Sequence, residues 1–443
     1  MMKTRRLFYE NVYQKDFEAE VLFCGEDEAG TYVILDQTVF YPEGGGQPAD
    51  RGVLCPEHDG GVHETCENRP ESAAGAAATS GEPESSGSLS MKRSGQISVL
   101  DVQYAGESGE DIRHYVDQPL SAGTKVHGFI DWERRFDLMQ QHSGEHIVSG
   151  CVHKKYGYDN VGFHMGEDVI TIDFNGLLDE VQLLQVEKEV NDYIWENRPA
   201  RIFFPDAEER KRLPFRSKKE LTGEVRLVEF PGGDLCACCG LHVEAAGEIG
   251  LVKLLSVKHF REGVRVEMVS GKRALRLLHQ HLEANSRVAV ELSVKPDQTP
   301  EAVRHLQDEI YALKGQIASL RQEQFAMRAS QCRGKGSVLV LEQNLDAAEV
   351  RKEADAVLNT CGGICVVISL DEPRSEKQKD GNNGAGGKYA IGQRDGDVRE
   401  LVKEMNGALS GKGGGKPFFA QGSLQAEKKD IVDFFTRKGF MIV

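Results

Sequence analysis

The chain has 443 residues, 40% of them hydrophobic and 28% charged, and a formal net charge of −16. That length exceeds one ordinary core and predicts two or three domains. No apolar run approaches the roughly 20 residues that span a bilayer, and the basic start lacks the apolar stretch of a secretory signal; the expectation is a cytoplasmic protein with no membrane partner.

Residues 6–55 are β-rich. Short β-branched and aromatic runs at 31–36 and 38–42 predict strands, and a glycine-rich turn follows from Pro42 to Gly52. Residues 56–95 change to Ser, Gly, Ala, Glu and Pro. Such a segment buries too little surface to offset its ordering entropy, so it predicts a mobile insertion between strands. Strand-like sequence resumes at 96–104. From 133 to 156 the spacing of Phe136, Met139, Ile147 and Val148 predicts a helix with one buried side. A strand from Val169 to Phe174 and an amphipathic helix from Asp179 to Glu196 come next, the latter stopping before Pro199.

Residues 299–329 carry the strongest periodicity. Val303, Leu306, Ile310, Leu313, Ile317, Leu320, Gln324 and Met327 alternate spacings of three and four. Thr299 suits an N-cap and Pro300 a first helical position. The pattern fits a coiled-coil seam or a helix lying on its own domain. Beyond it, 337–341 and 364–370 read as buried strands, 398–409 and 429–438 as helices, and 411–423 as a glycine loop with aromatics. The parts are therefore 1–110, 111–270, 271–332 as a helical spacer, and 333–443.

Two stretches carry chemistry. His142 and His146 stand four apart on the first helix, on one face. Cys238 and His242 repeat that spacing in a loop that also holds Cys236 and Cys239. Crowded thiols beside a histidine in a long chain read as metal-binding rather than disulfide-forming. Together the two pairs offer zinc a tetrahedral His3Cys set, with Cys236 and Cys239 left open as alternatives to Cys238. His142-Ser-Gly-Glu145-His146 also matches the inverted zinc-peptidase motif, with Glu145 as base, but that reading leaves the cysteine loop unexplained. The acidic total works against indiscriminate nucleic-acid binding, while basic runs at 210–219 and 253–276 offer local patches or plain solvated surface.

Three segments in this order resemble the editing domain of alanyl-tRNA synthetase and the free-standing alanyl-tRNA editing proteins: Asp36 to Gly52 with its glycine loop, Arg134 to His146, and Cys238 to Val243. The tail, with Gly413 to Gly422, resembles the C-terminal domain of the same synthetase. One departure stands out: where the family often has Gly-Gly-Thr between the metal cysteine and histidine, this chain has Cys239, Gly240 and Leu241. No aminoacylation motif is found, so the resemblance points to the long free-standing type. It implies an α+β editing core (a small β-barrel-like N-terminal part plus an α/β zinc-binding part), a helical spacer and a small α/β C-terminal domain. It further implies hydrolysis of serine or glycine from mischarged alanine tRNA, zinc as cofactor, Thr38 on the serine hydroxyl, and Gly44, Gly45, Gly46 and Gln47 lining the substrate cleft. A homodimer through 299–329 or the C-terminal domain stays open, as does a non-catalytic zinc-stabilised tRNA-binding module. No general acid or base is assigned.

Overall fold

The computed structural model describes residues 4–57, 95–106, 111–217, 225–371 and 386–443. The insertion read at 56–95 and the polar stretch at 373–387 lie almost wholly outside the described residues. The chain divides into two compact units, Met1–Asn285 and Ser286–Val443.

In the first unit, β1 (Arg5–Arg6) and the single turn α1 (Leu7–Glu10) precede β2 (Asp16–Asp27), β3 (Gly30–Leu35), β4 (Gln37–Thr38), β5 (Gly52–Pro56), β6 (Ile97–Ala105), β7 (Asp111–Val116) and β8 (Lys125–Ile130). Six of them close a barrel in the order β2-β3-β7-β6-β5-β8. Alternation fills it: along β2, Phe17, Ala19 and Val21 point inward and their neighbours outward. The predicted strand at 38–42 is shorter than expected. Only Gln37 and Thr38 join a ladder, with β1. Beyond them Val39 gives its carbonyl to the Arg135 guanidinium at 2.7 Å and Tyr41 gives its N–H to Asp50 at 2.6 Å. Buried side chains, not a neighbouring strand, satisfy that backbone.

The helix α2 (Trp132–Tyr156) opens on Asp131, whose carboxylate accepts from the Arg134 N–H, and closes on Gly157 at φ 73°. Its middle is buried yet polar: Gln140, Gln141, His142, Ser143, Glu145, His146 and Ser149 are all inside. Buried polar groups of that density need partners, and the elements packed on α2 supply them. The elements that follow α2 are β9 (Asn160–Met165), β10 (Ile170–Phe174), α3 (Glu180–Trp195), β11 (Arg201–Phe203), α4 (Ala207–Arg212), β12 (Leu227–Phe230), β13 (Asp234–Ala237), β14 (Val252–Phe260) and β15 (Gly263–Ser270), of which β9, α3, β13 and β15 pack against it. They form a four-stranded sheet, β14-β15-β10-β9, and a three-stranded one, β11-β12-β13. A capping box between Asp179 and Gln182 starts α3. The helix α5 (Gly271–Glu291) runs across the division between units.

The second unit holds α6 (Thr299–Gln331), β16 (Gly336–Gln343), α7 (Ala347–Cys361), β17 (Gly362–Leu370), β18 (Gly386–Gly392), α8 (Arg399–Ala408), β19 (Lys412–Lys416), β20 (Phe419–Gln425), α9 (Lys428–Arg437) and β21 (Met441–Ile442). Six strands form one mixed sheet, β19-β20-β18-β17-β16-β21. The architecture of the whole chain is mixed α and β. Two local expectations change. Thr299 is not the cap of α6: Pro296–Gln298 form a 3-10 turn, and the Thr299 hydroxyl donates to the Pro296 carbonyl at 3.1 Å. The glycine stretch 411–423 is a hairpin, β19 against β20, rather than a loop. Its glycines are needed because a Cβ on Gly413 would sit 2.5 Å from the Tyr389 hydroxyl and one on Gly422 2.7 Å from its ring.

Candidate metal centre

One turn of α2 separates His142 from His146, and their ring centroids are 5.4 Å apart. The loop after β13 brings the His242 ring to 4.4 Å from His142 and 4.5 Å from His146. Cys238 Sγ lies 3.4 Å from His142 Nε2. One donor atom from each of His142, His146, Cys238 and His242 lies within 4.8 Å of all the others. A second group overlaps the first through one residue: His146, Asp234 and Cys236. Of the three cysteines that spacing left open, Cys238 joins the four-residue group, Cys236 joins the other, and exposed Cys239 joins neither.

Each imidazole is steadied from outside. His142 Nδ1 donates to Gln47 Oε1 at 3.1 Å, His146 Nδ1 lies 2.9 Å from Asp234 Oδ2, and His242 Nδ1 lies 3.3 Å from the Ser143 hydroxyl. His242 Nε2 is buried with no hydrogen-bond partner among the described residues. Three imidazoles, each with Nδ1 turned to a polar neighbour and one with an orphaned inner nitrogen, beside a thiol make a donor set that fits a tetrahedral metal ion.

Electrostatics separates the two cysteines. Burial alone would raise the Cys238 thiol, but the charge on His142, then the hydrogen bonding of His142 and His146, hold it well below its ordinary value. Cys238 is therefore poised as a thiolate, the form that binds metal. Burial, then the nearby Asp234 charge, pushes the Cys236 thiol up and keeps it protonated. Burial and the charges of His142 and His146 push His242 well below its usual value, leaving a neutral ring. Burial also opposes charge on His146, yet the bonds to Asp234 and then Cys238 carry it up to about 10.

The glycine turn abuts this centre. Gly45 and Gly46 adopt φ 63° and 84°. A Cβ on Gly45 would meet the Gly240 nitrogen at 3.4 Å, and one on Gly46 the Phe163 ring at 2.8 Å. Gly44 closes the turn by pairing with Gln47. Gln47 Oε1 thereby accepts from both His142 and the Leu241 N–H, the latter at 2.8 Å. A Cβ on Gly240 would collide with the His142 ring, which explains the glycine at that position. Thr38 lies buried outside the four-residue group. Its hydroxyl donates to His114 Nε2 at 2.8 Å and accepts from the Phe40 N–H at 3.0 Å. Burial lowers His114 to about 4, so its ring stays neutral and can accept.

Several functional neighbours escaped sequence reasoning. Asp234 was within reach of it: in a strand, positions 234, 236 and 238 share a face. Ser143, Arg216, Arg226 and His114 gave no such signal. Arg226 Nη1 clamps the metal loop by donating to the Cys238 and Gly240 carbonyls at 2.8 and 2.9 Å. Glu145 belongs to neither metal group; its Oε1 accepts from Ser149 at 2.6 Å and from Asn160. Several cations of the two basic runs are paired. Lys211 pairs with Glu208, Arg216 with Asp234, Lys253 with Glu187, Lys258 with Glu267, Arg265 with Asp173 and Arg273 with Asp137. No helix among the described residues is long and apolar enough to cross a membrane.

Comparison with known proteins adds an independent line of observation. Residues 225–267, which contain the metal loop, match the threonyl and alanyl tRNA synthetase second additional domain, and residues 334–437 match the DHHA1 domain. The alanyl-tRNA editing protein AlaX-L of Pyrococcus horikoshii is 26% identical over 98% of this chain and 98% of its own length. The alanine–tRNA ligase of Ignicoccus hospitalis is 29% identical over 97% of this chain, and that of Halorubrum lacusprofundi 30% identical over 95%; the chain spans 42% of each ligase. The two matched domains and the end-to-end likeness to AlaX-L make this chain similar to the free-standing alanyl-tRNA editing proteins and to the editing and C-terminal domains of alanyl-tRNA synthetases.

Proposed function

We propose that this chain is a zinc-dependent aminoacyl-tRNA deacylase that removes serine or glycine from mischarged alanine tRNA in trans, in the cytoplasm. The observation that carries the reading is the convergence of His142, His146, Cys238 and His242 beside the glycine turn. In this reading residues 1–110 and 111–270 form the editing region, 271–332 the spacer and 333–443 the C-terminal domain.

The four residues would hold zinc, which supplies polarisation of a carbonyl or an acidified water. An aminoacyl ester is already an activated carbonyl, so modest assistance suffices. The chain's own contribution is placement. Gln47 fixes His142 and the Leu241 peptide at once, so the glycine turn and the metal loop form one rigid wall. Leu241, buried where relatives often have threonine, presents no hydroxyl there. Glu145, held by Ser149 and Asn160, is poorly placed to act as a peptidase base.

Incubating purified protein with Ser-, Gly- and Ala-charged alanine tRNA tests the proposal. Serine and glycine should be released and alanine spared. A chelator, or His142→Ala, should slow release roughly tenfold or more. Binding of tRNA without release of any amino acid would favour the non-catalytic module instead.

Thr38→Val should slow serine clearance more than glycine clearance. It should also cost about 1–3 kcal/mol, because the Phe40 N–H and His114 Nε2 lose their partner. Equal slowing of both substrates would remove Thr38 from serine recognition.

A second copy is the proposed partner of α6. Val303, Leu306, Ile310, Leu313, Ile317 and Leu320 are 42–65% exposed, and β-branched residues alternating with leucine suit a two-stranded seam. Sedimentation should give a dimer mass that Ile310→Asp with Leu313→Asp halves; a wild-type monomer would end this part of the reading.

A further inference from the structure

The two donor groups share His146, and an ion at one competes with an ion at the other. Something must decide which forms. The position of Arg216 answers this. Its Nε donates to Asp234 Oδ1 at 2.8 Å and its Nη2 to Asp234 Oδ2 at 2.9 Å. The pair is enclosed, the Asp234 side chain 2% and the Arg216 side chain 12% exposed. The backbone of Arg216 is stitched to β13 as well: its N–H donates to the Leu235 carbonyl at 2.8 Å, and its own carbonyl accepts from the Ala237 N–H at 2.9 Å. The guanidinium is therefore held over the carboxylate by a strand-like pairing and not by its side chain alone.

On the metal-centre reading above, we infer that Arg216 governs ligand choice: by occupying both carboxylate oxygens it keeps Asp234 as a hydrogen-bond acceptor for His146 and prevents Asp234 and Cys236 from binding a divalent cation around the same imidazole. Two effects act together. The fork geometry uses the lone pairs a cation would need. The fixed positive charge repels a cation at that spot, and burial strengthens the repulsion. Asp234, so held, orients His146 with Nδ1 outward, leaving Nε2 for the four-residue group. Asp234 and Arg216 are thus positioning residues, one acting on a ligand and the other on the first.

Cobalt(II) titration of the full-length, metal-stripped protein tests this without any tRNA. Wild type should take up one equivalent, with charge-transfer absorption from one thiolate. Asp234→Asn should weaken binding roughly 10–100-fold. Arg216→Gln should let Cys236 supply the thiolate in place of Cys238: Cys238→Ser, which abolishes thiolate-to-cobalt absorption while Arg216 is present, should leave it in the Arg216→Gln background, and adding Cys236→Ser should then remove it. Arg216→Lys keeps the charge but loses the fork, and should read between the two; it serves if the glutamine variant does not fold. Absence of thiolate-to-cobalt absorption from both Arg216 variants when each carries Cys238→Ser would overturn the gate. Failure of the wild-type protein to bind cobalt at all would overturn the metal reading itself, a result distinct from the first.

Discussion

Asp50→Ala should destabilise the first unit by about 3–5 kcal/mol, because it strands a buried guanidinium. Arg135 and Asp50 are both fully buried. Arg135 Nε donates to both Asp50 oxygens at 2.9 Å, and its Nη2 also reaches Oδ2. Nη1 and Nη2 also donate to the Val12 and Val39 carbonyls, at 3.1 and 2.7 Å. One side chain of α2 thus ties together the N-terminal segment, the irregular stretch after β4 and the end of the glycine turn. Removing the carboxylate leaves a charge that arginine does not shed. It also frees the Tyr41 N–H, which Asp50 accepts.

The same anchor bears on the metal centre. Asp50 lies three residues after Gln47, and Arg135 two turns before His142, so loosening the pair shifts a ligand and its hydrogen-bond acceptor relative to each other. Metal affinity should fall along with stability. Denaturant unfolding followed by tryptophan fluorescence gives the number, since Trp132 and Trp195 are the chain's two tryptophans and both lie in the first unit. Arg135→Met combined with Asp50→Leu should recover much of the loss, because an apolar pair of similar volume carries no desolvation cost. A loss below about 1 kcal/mol for Asp50→Ala would show the ion pair to be incidental.

What the sequence disclosed follows from the range of the interactions involved. The ligand set was legible because helix geometry puts residues four apart on one side, and because the Cys238–His242 loop had no competing use for its thiols. The caps of α3 and the periods of α2 and α6 were legible for the same local reason. The run at 38–42 misled because its β-branched and aromatic residues are buried for barrel packing, while Arg135 and Asp50, far along the chain, satisfy its backbone. The hairpin at 412–425 was hidden because its glycines answer to Tyr389 on another strand rather than to any local propensity. Asp234 is the instructive omission. Strand alternation would have aligned it with Cys236 and Cys238, but the segment was read as a metal loop, for which period two is not considered. Gln47 was expected at the substrate; its carboxamide oxygen accepts from His142 and from the Leu241 N–H. That its neighbours Gly45 and Gly46 are exposed leaves the turn itself as the part open to a substrate.

In the second unit, Glu353→Gln should stabilise the fold at pH 8 by roughly 3–5 kcal/mol and do little near pH 4. Glu353 sits on the buried stripe of α7 with Val350, Ala354, Val357 and Cys361. Neither of its carboxyl oxygens has a hydrogen-bond partner among the described residues. The cation whose charge acts on it is already engaged, since Arg328 donates to Glu342 Oε1 at 2.8 and 3.2 Å. Burial, followed by the charge of Glu342, pushes the Glu353 carboxyl up to about 8, and Arg328 offsets only part of this. An unfolded glutamate loses its proton near pH 4.3, whereas the folded one keeps it to about 8. Between those values the folded state holds one proton more, so stability falls as pH rises, by about 1.4 kcal/mol per unit, and levels off above pH 8. Glutamine keeps the shape, cannot ionise, and offers an amide hydrogen to the Glu342 carboxylate. Hydrogen exchange of the α7 and β16 amides, compared between wild type and variant at matched pH, separates this effect from the first unit. Protection ratios that do not widen between pH 5 and pH 8 would mean that the carboxyl ionises freely in the folded state, either by finding water or by drawing Arg328 away from Glu342.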